Sequence, residues 1–91
     1  MPHTNLDLAL LAAGRELTDA EHKHPQWPTD LLRQVAIVAE ELGEAQKEAL
    51  SLVEWQERGC GTAELAARGA ALDREMAQVA AMALRFLAAR L

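Results

Sequence analysis

The segment LLRQVAIVAEELGEAQKEALSL, residues 31–52, decides the fold. Its apolar positions Leu31, Val35, Val38, Leu42, Ala45, Ala49 and Leu52 alternate steps of four and three. That spacing predicts a long helix whose apolar seam packs nearly parallel to neighbouring helices. Pro28 suits the first turn of this helix, with Thr29 or Asp30 placed to satisfy free amides. Gly59, Cys60 and Gly61 form the clearest turn in the chain and stop the helix near Arg58.

Working outward, the same seam returns after the turn. Thr62 reads as the N-cap of a last helix, Glu64 sits in its positively polarised first turn, and Gly69 is a candidate kink. Leu72, Met76, Val79, Ala83 and Phe86 then repeat the four-three step to the C-terminus. On the N-terminal side, Leu6, Leu10, Ala13 and Leu17 predict a first helix from about Asn5 to Ala20, ended by the segment that carries Pro25 and Pro28. Composition agrees, because alanine, leucine, glutamate, glutamine and arginine dominate, tyrosine is absent, and Trp27, Trp55 and Phe86 are the only aromatics. The expected fold is all-α: one domain over residues 1–91, a bundle of three to four helices, completed by oligomerisation. Ninety-one residues bury only about two thirds of their unfolded surface, and the single cysteine, Cys60, allows no internal disulfide to make up the difference.

Charge and hydropathy narrow the partners. The formal net charge is −5 and the nine basic residues are scattered, so no basic stripe exists to track duplex nucleic acid. No segment approaches the roughly 18 uncharged apolar residues of a membrane span, and the stretch from Met1 to Asp7 shows no leader pattern. The expected setting is cytoplasmic, with no membrane partner.

The chemistry lies beside the seams. Glu41 and Glu44 each precede a seam residue on the long central helix, and Glu75 and Gln78 do so on the last. Both pairs are spaced i, i+3, so each pair points one way from neighbouring turns. If the seams face each other, four oxygen-bearing side chains converge; otherwise these are ordinary solvated glutamates. Two like charges about 5 Å apart repel by roughly 3 kcal/mol at an effective dielectric near 20. A converging set therefore persists only with a cation, paired arginines or bound protons, and a hard divalent ion suits oxygen ligands: Mg²⁺ first, Mn²⁺ next.

These residues also carry a resemblance. The run from Ala39 to Ala45, AEELGEA, resembles the EExxE motif of the MazG-like all-α nucleoside triphosphate pyrophosphohydrolases, and Glu75-Met76-Ala77-Gln78 falls where that family has ExxD. The resemblance covers about residues 28–88. It implies a helical bundle, homodimeric or homotetrameric, that binds magnesium and cleaves a nucleoside triphosphate between its α and β phosphates, releasing a monophosphate and pyrophosphate. Carried across, it makes Glu41, Glu44, Glu75 and Gln78 the metal positions, gives Glu44 the further task of polarising the attacking water, and leaves Glu40 in support. Gln78 departs from the family's aspartate: a glutamine carbonyl can ligate magnesium but brings no charge, so the site is weakened. A catalytically degenerate homo-oligomeric module of the same fold is the alternative.

Other residues have two readings each. Trp27 is a candidate substrate-binding platform for a nucleobase, or a staple packing its loop on the bundle. Trp55 reads as core or interface. His22 and His24 form an HxH pair in a loop without further ligands nearby, and read as solvated. Lys47 and Arg85 lie near the motif positions and could meet phosphates, although surface charge is the default for both. Cys60 reads as an exposed turn thiol.

Overall fold

In the computed structural model, which describes residues 4–91, three helices follow one another: α1 (Asn5–Lys23), α2 (Leu31–Arg58) and α3 (Thr62–Arg90). Part of the amino-terminal stretch read for a leader lies outside the described residues. Each boundary has a local chemical cause. Thr4 and Asp7 close a reciprocal capping box at α1, with Thr4 Oγ1 accepting from the Asp7 amide and Asp7 Oδ2 from the Thr4 amide, both at 3.1 Å. At its other end α1 runs to Lys23, a turn beyond the expected Ala20, and stops only where Pro25 removes a donor.

The start of α2 corrects the sequence reading in a second place. Pro28 lies outside the helix, which begins after Asp30, whose Oδ1 accepts from the Leu32 amide at 3.1 Å. The aspartate supplies the capping oxygen, so the proline is left in the connector, where its carbonyl accepts from Gln34 Nε2 at 2.7 Å. At the far end Gly59 adopts φ +74°, and the amides of Gly59 and Cys60 donate back to Gln56 and Trp55 at 3.1 and 3.2 Å. This is a Schellman ending, and the left-handed residue at its centre is the reason a glycine stands there. Because that ending uses Cys60, the extended Gly61 takes the cap position of α3 without a side-chain bond, and Thr62 is the first helical residue rather than the cap. The helix runs through Gly69 without interruption.

The helices α2 and α3 fold back on each other around this turn. The third helix packs on both others, whereas the backbones of α1 and α2 do not approach each other closely. Small residues line the crossings: Ala13, Ala45 and Ala81 are buried, with Met82 beside them. Two polar residues, Gln34 and Arg85, are buried as deeply, each 8% exposed.

The seams meet only in part. Ala45 is buried, and Val38, Ala49 and Leu52 of α2 and Leu72, Val79, Ala83 and Phe86 of α3 are half-buried, whereas Leu31, Val35 and Leu42 of α2 and Met76 of α3 remain about half exposed. Beside them Gln34 and Arg85 are buried and Glu41 and Gln78 half-buried, so polar side chains share the contact with the seams. The result is a thin, open molecule. Its extents are 46 × 38 × 19 Å and its radius of gyration is 15.2 Å, against ~12 Å for a compact chain of this length. Its surface of 6902 Å² exceeds the ~5200 Å² expected of a compact monomer of this mass. Among the described residues no helix is long and apolar enough to cross a membrane.

Candidate functional site

Three helices deliver oxygen to one place. From α2 comes Glu41, from α3 Glu75 and Gln78 one turn apart, and from α1 Glu16. One end of the Gln78 amide lies 3.1 Å from Oε2 of Glu41 and 3.1 Å from Oε2 of Glu75. The other end lies 3.4 Å from Glu16 Oε2. Carboxylates therefore face both ends of one amide, and only its NH₂ end carries donors. With Nε2 toward Glu41 and Glu75 it donates to both, and its carbonyl then meets Glu16.

The electrostatics follow from this crowding. Burial raises the carboxyl pKa of Glu41 above its ordinary 4.5, and the negative charges of Glu75, Glu44, Glu40 and Glu16, in that order, raise it further. Glu44 thus acts on the same spot, but its own carboxylate is turned to solvent, where Oε1 lies 3.7 Å from Lys47 Nζ in an exposed ion pair. Of the four expected metal positions, the structure joins Glu41, Glu75 and Gln78 directly and leaves Glu44 at the rim. Among the described residues no three acidic, histidine or cysteine side chains form a ready-made cage.

A cleft of about 400 Å³ opens beside the cluster, between α1, the connector and the α2–α3 pair. Glu16, Glu41 and Gln78 line one part of it; Trp27, Met82 and Arg85 line another. Trp27, the expected platform, is half-buried there, and the Arg85 guanidinium lies 4.9 Å from the centre of its ring. Arg85 Nη2 also donates to the His24 carbonyl at 2.7 Å, which ties the connector to α3. Arg85 is therefore not the surface charge that its type suggested. Lys47 is exposed, as are His22 and His24. Cys60 is half-buried rather than exposed. Trp55 is half-buried under Arg68, whose guanidinium stacks 4.3 Å from its ring while bonding Ser51 Oγ and Glu64 Oε1.

Sequence reasoning missed Glu16 as a member of the cluster and Arg85 as an interior residue. The signal was present in both cases. Glu16 precedes the seam residue Leu17, and Arg85 precedes Phe86, the same placing that marked Glu41, Glu44, Glu75 and Gln78. No protein-family model, curated protein or solved structure matches the chain.

Proposed function

We propose that this protein is a Mg²⁺-dependent nucleotide pyrophosphohydrolase of the MazG-like kind, cleaving a nucleoside triphosphate between its α and β phosphates. The observation that carries the reading is the spacing around Gln78. Neighbouring ligands of an octahedral magnesium ion at 2.0–2.1 Å stand ~3 Å apart, and the nearest end of the Gln78 amide lies 3.1 Å from both Glu41 Oε2 and Glu75 Oε2. With the Gln78 carbonyl toward a cation shared with Glu41 and Glu75, the NH₂ end faces Glu16, so both ends of the amide find suitable partners. The donor set is all oxygen and suits Mg²⁺, with Mn²⁺ the next candidate.

In this reading Glu41, Glu75, Gln78 and Glu44 hold the ion, and Glu44, free to move at the rim, polarises the attacking water. The ion would supply charge compensation on the phosphoryl oxygens. Glu40 adds negative potential from the cleft wall. Trp27 offers apolar surface to the nucleoside, its ring held in place by Arg85.

The reading includes self-association as a homodimer or homotetramer. The ~1700 Å² by which the surface exceeds that of a compact monomer is about twice what one partner contributes to a standard interface. A cytoplasmic setting, without duplex nucleic acid as partner, belongs to the same reading and is supported by the acidic balance and single thiol. A second reading, a degenerate module without hydrolase activity, is favoured by one observation: Gln78 satisfies Glu41 and Glu75 with its own NH₂ when no ion is bound.

Titration calorimetry of Mg²⁺ into the protein, with and without an α,β-methylene triphosphate, tests the proposal. Saturable binding that is tightened by the triphosphate and lost in Glu75→Gln supports it. Absence of binding in both conditions contradicts it.

A further inference from the structure

Arg85 is given no contact of its own with substrate in the proposed chemistry. It is 8% exposed, lines the cleft, and makes no ion pair among the described residues. A guanidinium carries five N–H groups, and among the described residues it forms a single hydrogen bond, to the His24 carbonyl. The group lies over the Trp27 ring, 4.9 Å from its centre. A buried cation with spare donors and no acidic partner is costly unless an acceptor completes it.

Its position says what kind of acceptor. Gln78 and Arg85 stand seven residues apart on α3, so they share a face two turns apart, roughly 10 Å along the helix. Both line the same cleft, with Met82 and Ala81 between them as its apolar floor. If the phosphates of a nucleotide lie at the carboxylates, its base lies toward Arg85. The fixed fork of a guanidinium matches exocyclic carbonyls, as in its paired contact with O6 and N7 of guanine, and opposes amino groups, which present donors to donors.

We infer that Arg85 is a specificity-determining residue that reads a keto oxygen on the base, so that the cleft prefers uracil or thymine to cytosine and guanine to adenine. This inference rests on the proposed nucleotide site and adds the class of base to it. An alternative role, contact with the phosphates, predicts no distinction among bases.

The test uses α,β-methylene triphosphates of uridine, cytidine, guanosine and adenosine in Mg²⁺, with affinities measured on the full chain by competition. The wild-type protein should prefer uridine to cytidine and guanosine to adenosine by about tenfold each. Arg85→Lys keeps the charge and loses the fork, so both preferences should fall toward one. A melting curve establishes that the variant is folded, and the wild-type panel decides independently of it. Equal affinity for all four analogues in the wild type overturns the inference, as does an unchanged preference in folded Arg85→Lys. A uniform loss across the four bases in the variant overturns it in favour of phosphate contact. Failure of all four to bind the wild-type protein removes the nucleotide site itself, and this inference with it.

Discussion

The Gln78 amide touches Glu41 across the α2–α3 contact, 3.1 Å from its Oε2, with Glu75 Oε2 at the same distance. A neutral residue thus stands at the centre of a carboxylate cluster, and its two ends allow it to serve either state of the site. Its NH₂ relieves repulsion between the glutamates in the absence of a cation, and its carbonyl joins them as a ligand in the presence of one.

Gln78→Asp removes the first option and strengthens the second. In chelator, the added charge beside Glu41 and Glu75 should cost about 2 kcal/mol at the dielectric of water and roughly 6 kcal/mol at an effective dielectric near 20. For a domain of this size even the lower figure is a fall of about 8–16 °C in melting temperature. Millimolar Mg²⁺ should restore most of the loss, because an ion that binds only the folded state stabilises it. Melting curves with and without Mg²⁺ make the comparison; a variant equally stable in both conditions would remove the ion from this cluster.

Glu41 sets a pH dependence. Its folded-state pKa is raised by burial and by Glu75, Glu44, Glu40 and Glu16. The folded protein therefore binds more protons than the unfolded chain between the ordinary value of 4.5 and the raised one. Stability falls as pH rises through that window, and the penalty is complete above it. Glu41→Gln should accordingly melt above the wild type at neutral pH in chelator, with the gap closing below pH 4.5. A gap that does not change with pH would assign the effect to packing instead.

The exposed part of the α2 seam makes its own prediction. Leu31, Val35 and Leu42 lie half exposed along one face, and a second copy of the chain is the proposed cover. Leu42→Glu puts a charge into that contact at an exposed site, where the isolated chain itself should lose little. Light scattering at tens of micromolar should find the wild type as a dimer or tetramer and the variant shifted toward monomer. A monomeric wild type would contradict the proposed assembly.

Much of this architecture was legible in the sequence, and for identifiable reasons. The four-three steps specify helices, and Gly59–Gly61 specifies the turn, because a left-handed residue and two adjacent donors have few alternatives there. Helix starts were less legible: Asp30 and Thr4 both cap through side chains, yet Pro28 and Thr62 carry equally good start signals and lie to either side of the actual caps. The meeting of Glu41, Glu75 and Gln78 could be read from register. The arrival of Glu16 could not, since it depends on which face of α3 receives α1, and sequence spacing within one helix does not specify its rotation against another. Arg85 was misread because residue type favours the surface, whereas inside it meets a carbonyl and a tryptophan ring that spacing within α3 does not announce.

Pyrophosphate release from each common ribo- and deoxyribonucleoside triphosphate, measured in Mg²⁺ for the wild type and for Glu44→Ala, tests the central claim most directly. The expected result is Mg²⁺-dependent formation of the nucleoside monophosphate and pyrophosphate in equal amounts from at least one substrate, reduced at least about 100-fold in Glu44→Ala if that carboxylate polarises the attacking water. A wild-type protein that releases no pyrophosphate from any of them, in Mg²⁺ or Mn²⁺, would contradict it.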